Sequence, residues 1–138
     1  MKPHLIVLDL DGTLLTDDKI ISAHTKHALK MARAEGHQVM IATGRPYRAS
    51  KLYYNELDLM TPIVNFNGAY VHHPRAAAFH AMHTPIGLPD VHDIVDSLAP
   101  FQLDNILAEV KDDVYIQNHD ARLLDILSMG NPVITEGP

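Results

Sequence analysis

The chain has 138 residues, 46% of them hydrophobic and 20% charged, which predicts a globular protein of about one domain, or one domain and part of another. The absence of cysteine excludes a disulfide scaffold, a thiolate zinc site and a cysteine nucleophile. A formal net charge of −6 disfavours nucleic acid and membrane surfaces as partners, and no segment is apolar enough to span a bilayer, so we expect a cytoplasmic protein.

The N-terminal half alternates strand patterns with helical patterns. Three short apolar runs predict strands buried in a parallel sheet, at residues 4–10, 39–42 and 63–66. Between them, helical spacing predicts one helix capped by Ser22 and ended by Gly36, and another from Pro46 to about Leu57. This order of strands and helices predicts an α/β fold with right-handed crossovers. Residues 14–21 are expected to form a small flap or hairpin.

The pattern changes after about residue 70 to a mixture of short strands and helices. Two paired strands are expected first, at residues 69–73 and 78–83, followed by a helix at residues 88–98. A hairpin with strands at residues 106–110 and 114–117 comes next. A second helix is expected at residues 119–129, and another strand begins at residues 132–134. In this interpretation Lys111, Asp112 and Asp113 form the hairpin turn. The two halves therefore have different architectures.

Polar segments that contain glycine follow the three predicted core strands, at residues 9–13, 43–45 and 67–68. Ligands of doubly wound sheets bind beyond the carboxyl ends of the strands, so these segments are expected to converge on one rim. Asp9 and Asp11 are two residues apart in an extended chain, and their side chains project to the same side. Two neighbouring carboxylates repel each other unless one is protonated or a cation is bound, and Mg²⁺ is a suitable cation because it prefers oxygen ligands.

Three motifs carry a resemblance to a known family. The segment DLDGTLL at residues 9–15 resembles the first motif of the haloacid dehalogenase (HAD) superfamily of phosphotransferases, and IATGRP at residues 41–46 resembles its second motif. With NGA at residues 67–69, the pattern is similar to the Cof-like branch in particular. The resemblance extends over the whole chain. It implies a Rossmann-like core, with residues 1–70 as its N-terminal part and residues 71–138 as part of an α/β cap domain.

The resemblance also implies a Mg²⁺-dependent phosphatase that acts on a small phosphorylated metabolite through an aspartyl-phosphate. Asp9 would be the nucleophile and Asp11 the general acid and base. Both would hold the metal, Asp9 through its carboxylate and Asp11 through its backbone carbonyl. The other implied site residues bind the phosphate, namely Gly12, Thr13, Thr43 and Gly44, or the substrate, namely Arg45, Asn67 and Gly68.

Several of these residues have a structural interpretation as well. Thr43 and Gly44 could form an ordinary strand-to-helix turn, and Asn67-Gly68 is a strong hairpin signal. Arg45 could bind phosphate or brace its loop, and the sequence favours neither. A receiver domain of the response-regulator type is a weaker alternative for the whole chain, because its acceptor aspartate follows the third strand rather than the first.

Two parts of the superfamily pattern have no counterpart here: a lysine that steadies the phosphate and a later acidic motif. Lys51 should point away from the rim, and Asp112-Asp113 fits a hairpin turn better than the acidic motif. We therefore expect an N-terminal half of a longer phosphatase, with weakly held Mg²⁺, an unpaired apolar edge on the first strand and little activity by itself. A non-catalytic phosphate-binding protein, or one that self-associates through that open edge, is the alternative.

Ten histidines are the compositional peculiarity of the sequence. Only His72, His73, His80 and His83 form a local group. A metal site there is an alternative, but the neighbouring proline, arginine and alanines favour solvated histidines in an exposed connection.

Overall fold

The computed structural model describes residues 2–137, which divide between His83 and Thr84 into two compact units. The change in sequence pattern lies earlier, near residue 70. The difference arises because the strands that follow residue 70 pair with the strand before it and so remain with the first unit. The assignment of residues 1–70 to a core and 71–138 to a cap remains a prediction.

The first unit contains a parallel sheet with two helical crossovers. Its strands are β1 (Leu5–Leu8), β2 (Gln38–Ile41), β3 (Ile63–Asn65), β4 (Tyr70–His72) and β5 (Met82–His83), and its helices are α1 (Ala23–Ala34) and α2 (Tyr47–Glu56). β1 pairs with β2 in parallel, and a parallel bridge between Ala42 and Val64 joins the next strand. β4 pairs antiparallel with β3, and β5 with β4. The α/β fold with a parallel sheet is confirmed.

The helix boundaries follow from local chemistry. The Ser22 hydroxyl oxygen accepts a hydrogen bond from the Thr25 amide at 3.1 Å, which caps α1 as predicted. The chain leaves α1 at Gly36, whose φ of +86° favours glycine. Pro46 was expected inside the first turn of α2, but it is the capping residue before that helix, with an extended ψ of 162°.

One apolar cluster packs the sheet of the first unit against its helices and loops. Its buried members are Leu10, Leu14, Leu15, Ile21, Val39, Ile41, Tyr53, Tyr54, Leu57, Leu59 and Ile63. Within it, the Tyr54 hydroxyl donates to the Thr61 carbonyl at 2.7 Å, and the Thr61 hydroxyl donates to the Val39 carbonyl at 2.7 Å. These two bonds connect α2 to β2 through the segment that precedes β3.

β1 is open at one edge and on one face. Within residues 2–137 this strand pairs only with β2, and its Leu5 and Val7 side chains are 53% and 49% exposed. The apolar run at residues 4–10 was expected to be buried on both faces. That expectation is wrong for the described chain, because the core covers only the face that carries Ile6 and Leu8.

The second unit is a small α/β assembly. It contains α3 (Leu88–Leu98), β6 (Leu107–Val110), β7 (Asp113–Ile116), α4 (Ala121–Leu127) and β8 (Ile134–Glu136). β6 and β7 form the predicted antiparallel hairpin, with Lys111 at a φ of +55° in its turn, and β8 pairs with β7 in parallel. The hairpin is therefore confirmed, but its turn is one residue shorter than predicted, because Asp113 is the first residue of β7 and pairs with Val110. In the described part of the chain, no helix has both the length and the apolar character needed to cross a membrane.

Because the Tyr54 hydroxyl is buried, the first unit should lose stability at alkaline pH. Burial raises the pKa of Tyr54 above its ordinary value of 10.0, so the folded chain favours the neutral phenol. We expect Tyr54→Phe to lower the free energy of unfolding by about 1 kcal/mol near neutral pH, through loss of the bond to Thr61. This advantage of the wild type is complete below about pH 10 and is lost as the pH rises through the raised pKa.

Urea denaturation of both proteins at several pH values measures this difference. Tyr115→Phe, at a 45% exposed side chain, is the control and should leave the unfolding midpoint nearly unchanged. A constant difference between wild type and Tyr54→Phe from neutral to strongly alkaline pH would contradict the role of the buried phenol.

Candidate active site

An open cleft of about 660 Å³ lies beyond the carboxyl ends of β1, β2 and β3. The residues that line it are Asp9, Asp11, Ala42, Thr43, Gly44, Arg45, Val64, Asn67 and Gly68. The structure thus brings together most of the predicted site residues from three separate segments. Gly12 and Thr13 do not line the cleft and lie in the turn beside it. Ala42 and Val64 line the cleft as well, although neither was among the predicted site residues.

The tip of β1 presents two carboxylates to this cleft. After Asp9 the chain makes a single π-helical turn, in which the Leu14 amide donates to the Asp9 carbonyl at 3.2 Å. Gly12 allows the turn, since its φ is +72°. Leu10 and Leu14 are buried in the core and anchor the turn, so that Asp9 and Asp11 remain on the exposed side.

Asp11 lies at the centre of an ion cluster. Arg45 donates from Nε to Oδ2 at 2.6 Å and from Nη2 to Oδ1 at 2.7 Å, and the Lys19 ammonium group donates to Oδ1 at 2.8 Å. The Arg45 hydrogen bonds, followed by the one from Lys19, hold the pKa of the Asp11 carboxyl well below its usual range. Asp11 is therefore an ionised carboxylate at neutral pH in this arrangement.

Arg45 is itself held firmly. Its Nη1 donates to the Ala49 carbonyl at 3.2 Å, its guanidinium lies 5.6 Å from the centre of the Tyr53 ring, and its side chain is only 16% exposed. Of the two roles that the sequence left open for Arg45, the structure shows the bracing contact. It ties the tip of β1 to the first turn of α2.

Lys19 is a residue of the site that the sequence analysis missed. The predicted flap is a tight turn, in which the Thr16 amide donates to the Ile20 carbonyl and the Lys19 amide to the Thr16 carbonyl, both at 2.9 Å. The Tyr53 hydroxyl donates to the Lys19 carbonyl at 2.8 Å and fixes this turn on α2. The sequence signal that could have indicated this contact is a lysine in the turn directly after the first motif, where it can reach an aspartate of that motif.

The second motif forms the floor between β2 and α2. Thr43 is 4% exposed, and its hydroxyl oxygen accepts a hydrogen bond from the Arg45 amide at 3.2 Å. A side chain at Gly44 would meet the Asn67 Oδ1 at 3.0 Å, so a residue without a Cβ lets the third segment approach closely. The strand-to-helix turn suggested as the structural interpretation is present, and it lies in the wall of the cleft.

The third segment reaches the rim through unusual backbone geometry. Phe66, Asn67 and Gly68 have φ values of +51°, +53° and +104°. Of these three residues, only glycine adopts a positive φ readily. The segment both lines the cleft and connects β3 to the antiparallel β4, so its rim and hairpin interpretations hold together. The buried Asn65 just before it, also missed, donates from Nδ2 to the carbonyl of Arg45 at 2.9 Å.

The charges of the cleft are balanced by residues of the same unit. Asp9 and Asp11 carry two negative charges, and Lys19 and Arg45 carry two positive charges within contact of one of these carboxylates. The expected repulsion between the paired aspartates is therefore offset in the protein itself, before any metal is considered.

The histidine group does not contribute to the lining of this cleft. His72 stacks on Tyr70 with ring centres 4.5 Å apart, and His83 contacts the same tyrosine edge-on at 5.4 Å. His73 Nε2 lies 3.0 Å from the Met60 carbonyl oxygen. Over residues 2–137, no three His, Cys, Asp or Glu side chains come together as a metal site.

Comparison with known families shows to which family the chain belongs. The family model of the haloacid dehalogenase-like hydrolases matches residues 6–132. The chain belongs to this family. The resemblance to the HAD superfamily and its Cof-like branch is thus confirmed.

Two curated relatives of this HAD chain come from Bacillus subtilis. The 5-amino-6-(5-phospho-D-ribitylamino)uracil phosphatase YitU is 50% identical over 136 residues, which is 99% of this chain and 50% of the relative. The phosphatase YwpJ is 31% identical over 124 residues, covering 88% of this chain and 42% of the relative. The chain spans about half the length of these relatives.

Solved structures confirm the fold of the HAD chain. A haloacid dehalogenase-like hydrolase from Bacteroides thetaiotaomicron superposes with a TM-score of 0.74 at 24% identity, over 98% of this chain and 52% of the other. The HAD subclass IIB sugar phosphatase BT4131 superposes with a TM-score of 0.71 at 22% identity, over 98% and 53%. At these identities the similarity concerns the fold alone.

The ion cluster of the HAD chain should make its stability fall in acid. The pKa of Asp11 is lowered from its ordinary value of 3.8, so the contribution of its ion pairs is present above about pH 4 and is lost as the pH falls toward the folded-state pKa. The side chain is 42% exposed, so we expect this contribution to be about 1 kcal/mol or less. Wild type and Asp11→Asn should therefore differ in urea midpoint near neutral pH and converge in acid.

Asp17→Asn is the matched control, because Asp17 lies in the neighbouring turn and takes no part in the contacts of the cluster. It should unfold like the wild type at each pH. A difference between wild type and Asp11→Asn that grows as the pH falls would have the wrong sign for an ion-paired carboxylate.

Proposed function

We propose that the chain forms the catalytic front of a phosphatase that hydrolyses a small phosphorylated metabolite. The observation that carries this proposal is the convergence of Asp9 and Asp11 with the Thr43-Gly44 and Asn67-Gly68 segments in one cleft. Nucleophile, acid and polar cradle are the parts that phosphoryl transfer requires, and all of them come from strand ends at one rim.

In the proposed reaction, an Asp9 carboxylate oxygen attacks phosphorus in line with the leaving group. The bond from phosphorus to the leaving oxygen breaks, Asp11 protonates that oxygen, and Asp9 becomes an aspartyl-phosphate. In the second step Asp11 takes a proton from a water molecule, whose oxygen attacks phosphorus. Inorganic phosphate leaves, the Asp9 carboxylate is restored and Asp11 again carries its proton.

The ion cluster must rearrange during this cycle. Asp11 has to carry a proton in the first step, whereas its contacts with Arg45 and Lys19 favour the ionised form. An incoming phosphate is a second anion and competes with Asp11 for the Arg45 guanidinium, which suits bidentate contact with phosphate oxygens. We infer that Arg45 exchanges partners as the substrate enters.

The cradle for the phosphate lies at the start of α2. The Thr43 hydroxyl and the Gly44 amide would bind phosphoryl oxygens, with the positive end of the helix dipole behind them. Gly12 and Thr13 lie in the π-turn beside the cleft, and their backbone would contribute to the phosphate site from there. Asn67 and Gly68 would contact the rest of the substrate at the rim.

The chemistry of the donor set fits Mg²⁺ in kind. The only carboxylates that line the cleft within residues 2–137 are those of Asp9 and Asp11, and that of Asp11 is engaged by two cations. The Asp9 carboxylate and the Asp11 backbone carbonyl would therefore hold the ion, leaving other positions to phosphate and water. When bound, Mg²⁺ supplies positive charge that reduces the repulsion between the nucleophile and the phosphate.

The substrate class and the role of the C-terminal part are proposed from the relatives. The printed activity of YitU is that of a phosphatase for a phosphorylated ribitylaminouracil, which supports a small phosphorylated metabolite as substrate. We propose that residues 71–138 belong to a cap and that the protein is cytoplasmic. Because the chain spans about half of its relatives, we expect low activity from these residues alone.

A second candidate is a non-catalytic protein that binds phosphate or associates with a second copy. The observation that favours it is the open edge of β1, with Leu5 and Val7 half exposed. Unpaired edge strands readily pair with another chain.

Hydrolysis of p-nitrophenyl phosphate with Mg²⁺ distinguishes the two candidates. We expect slow turnover by the wild type, none by Asp9→Asn, and wild-type turnover by the control Asp17→Asn. Equal turnover by wild type and Asp9→Asn would contradict the proposed nucleophile. Phosphate binding with no turnover in either protein would support the non-catalytic candidate, and rapid turnover by the wild type would contradict the expected low activity.

A further inference from the structure

Lys19 has no role in the motifs that define the proposed reaction, but it contacts the proposed acid and base directly. Its Nζ lies 2.8 Å from Asp11 Oδ1, the same oxygen that Arg45 Nη2 contacts at 2.7 Å. Two cations from different segments, the turn at residues 16–20 and the start of α2, thus converge on one carboxylate oxygen.

The protein holds Lys19 in a backbone conformation that is unfavourable for lysine. Its φ is +59°, at the position in a tight turn where glycine is the usual residue. The turn is closed by hydrogen bonds between Thr16 and Ile20, and the Tyr53 hydroxyl binds the Lys19 carbonyl. The backbone of Lys19 is consequently fixed, and its side chain extends from there to Asp11.

Stability does not account for this arrangement. The side chains of Lys19 and Asp11 are 56% and 42% exposed, and ion pairs with this exposure contribute little to folding. A glycine at position 19 would suit the turn better. The contact with Asp11 therefore points to a function in the cleft.

We propose that Lys19 is a positioning residue of the phosphate site. This inference rests on the proposed function, in which Arg45 turns from Asp11 to the incoming phosphate. Arg45 contacts both Asp11 oxygens and Lys19 contacts only Oδ1, so the departure of Arg45 frees Oδ2 to carry the proton. Lys19 is then the partner that keeps Asp11 oriented toward the leaving oxygen. Its charge also offsets Asp9 and Asp11, which lowers the electrostatic barrier to a phosphate dianion.

Titration of the 138-residue chain with inorganic phosphate in the presence of Mg²⁺ tests this role. The amide NMR signals of Gly44 and Gly68 report binding in the cleft. We expect Lys19→Gln to weaken phosphate binding roughly three- to tenfold and Lys19→Arg to restore it to within about twofold. The matched control is Lys26→Gln, which removes a 2.8 Å pair with Glu56 outside the cleft and should bind as the wild type does.

Lys19→Gly separates function from folding. Glycine relieves the backbone at this position, so we expect an equal or higher melting temperature together with the same loss of phosphate affinity as in Lys19→Gln. A purely structural Lys19 would give the opposite combination, with a lower melting temperature and unchanged phosphate binding.

The remaining outcomes are distinguishable. If wild type and Lys19→Gln bind phosphate equally at Gly44 and Gly68, Lys19 has no positioning role, while the proposed function stands. If Lys19→Gln and Lys26→Gln weaken binding equally, a general charge effect replaces the specific one and overturns the proposal. If no variant, including the wild type, binds phosphate in the cleft, both the proposed function and the role of Lys19 are overturned.

Discussion

The pair of hydrogen bonds between Arg45 and Asp11 is the interaction on which the geometry of the cleft depends. It joins residues 34 positions apart and locks the tip of β1 onto the start of α2. The bidentate contact fixes the orientation of the carboxylate as well as its distance, because guanidinium and carboxylate are both planar. The same arginine receives a hydrogen bond from Asn65 at its carbonyl, so one residue positions parts of all three segments that line the cleft.

The ion cluster also changes the meaning of the overall charge. A chain with a net charge of −6 and two aspartates at its proposed reaction centre would be expected to repel a phosphate. Lys19 and Arg45 offset these two aspartates locally, so the acidic surplus lies elsewhere on the chain. The cluster remains half exposed at Asp11, which leaves it accessible to an anion that competes for the same donors.

The parts of the fold that were predicted correctly are those set by local rules. The cap at Ser22, the exit at Gly36 and the hairpin turn at Lys111 depend on a few neighbouring residues, and each lies where the sequence indicates. The convergence of three strand ends follows from the topology of a parallel sheet. Pro46 lies one position before its predicted place in the helix, because its fixed φ suits the residue before a helix as well as the first turn.

The parts that could not be predicted depend on contacts between distant segments. Nothing near Arg45 shows that it binds Asp11 and not a phosphate, and nothing near Lys19 shows that its turn is attached to Tyr53. The boundary between the two units lies after His83 because β4 and β5 extend the pairing from β3, a long-range preference that composition does not reveal. The exposure of Leu5 and Val7 likewise depends on what covers that face of β1, and not on the sequence of the strand.

A crystal structure of the chain grown with Mg²⁺ and inorganic phosphate tests the central claim most directly. We expect a phosphate in the cleft, beside the Asp9 carboxylate and in contact with the Thr43 hydroxyl and the Gly44 amide. Arg45 should have turned toward the phosphate, and Lys19 should remain on Asp11. A phosphate bound elsewhere, or an empty cleft with both contacts of Arg45 to Asp11 intact, would contradict the assignment of this cleft as a phosphoryl-transfer site.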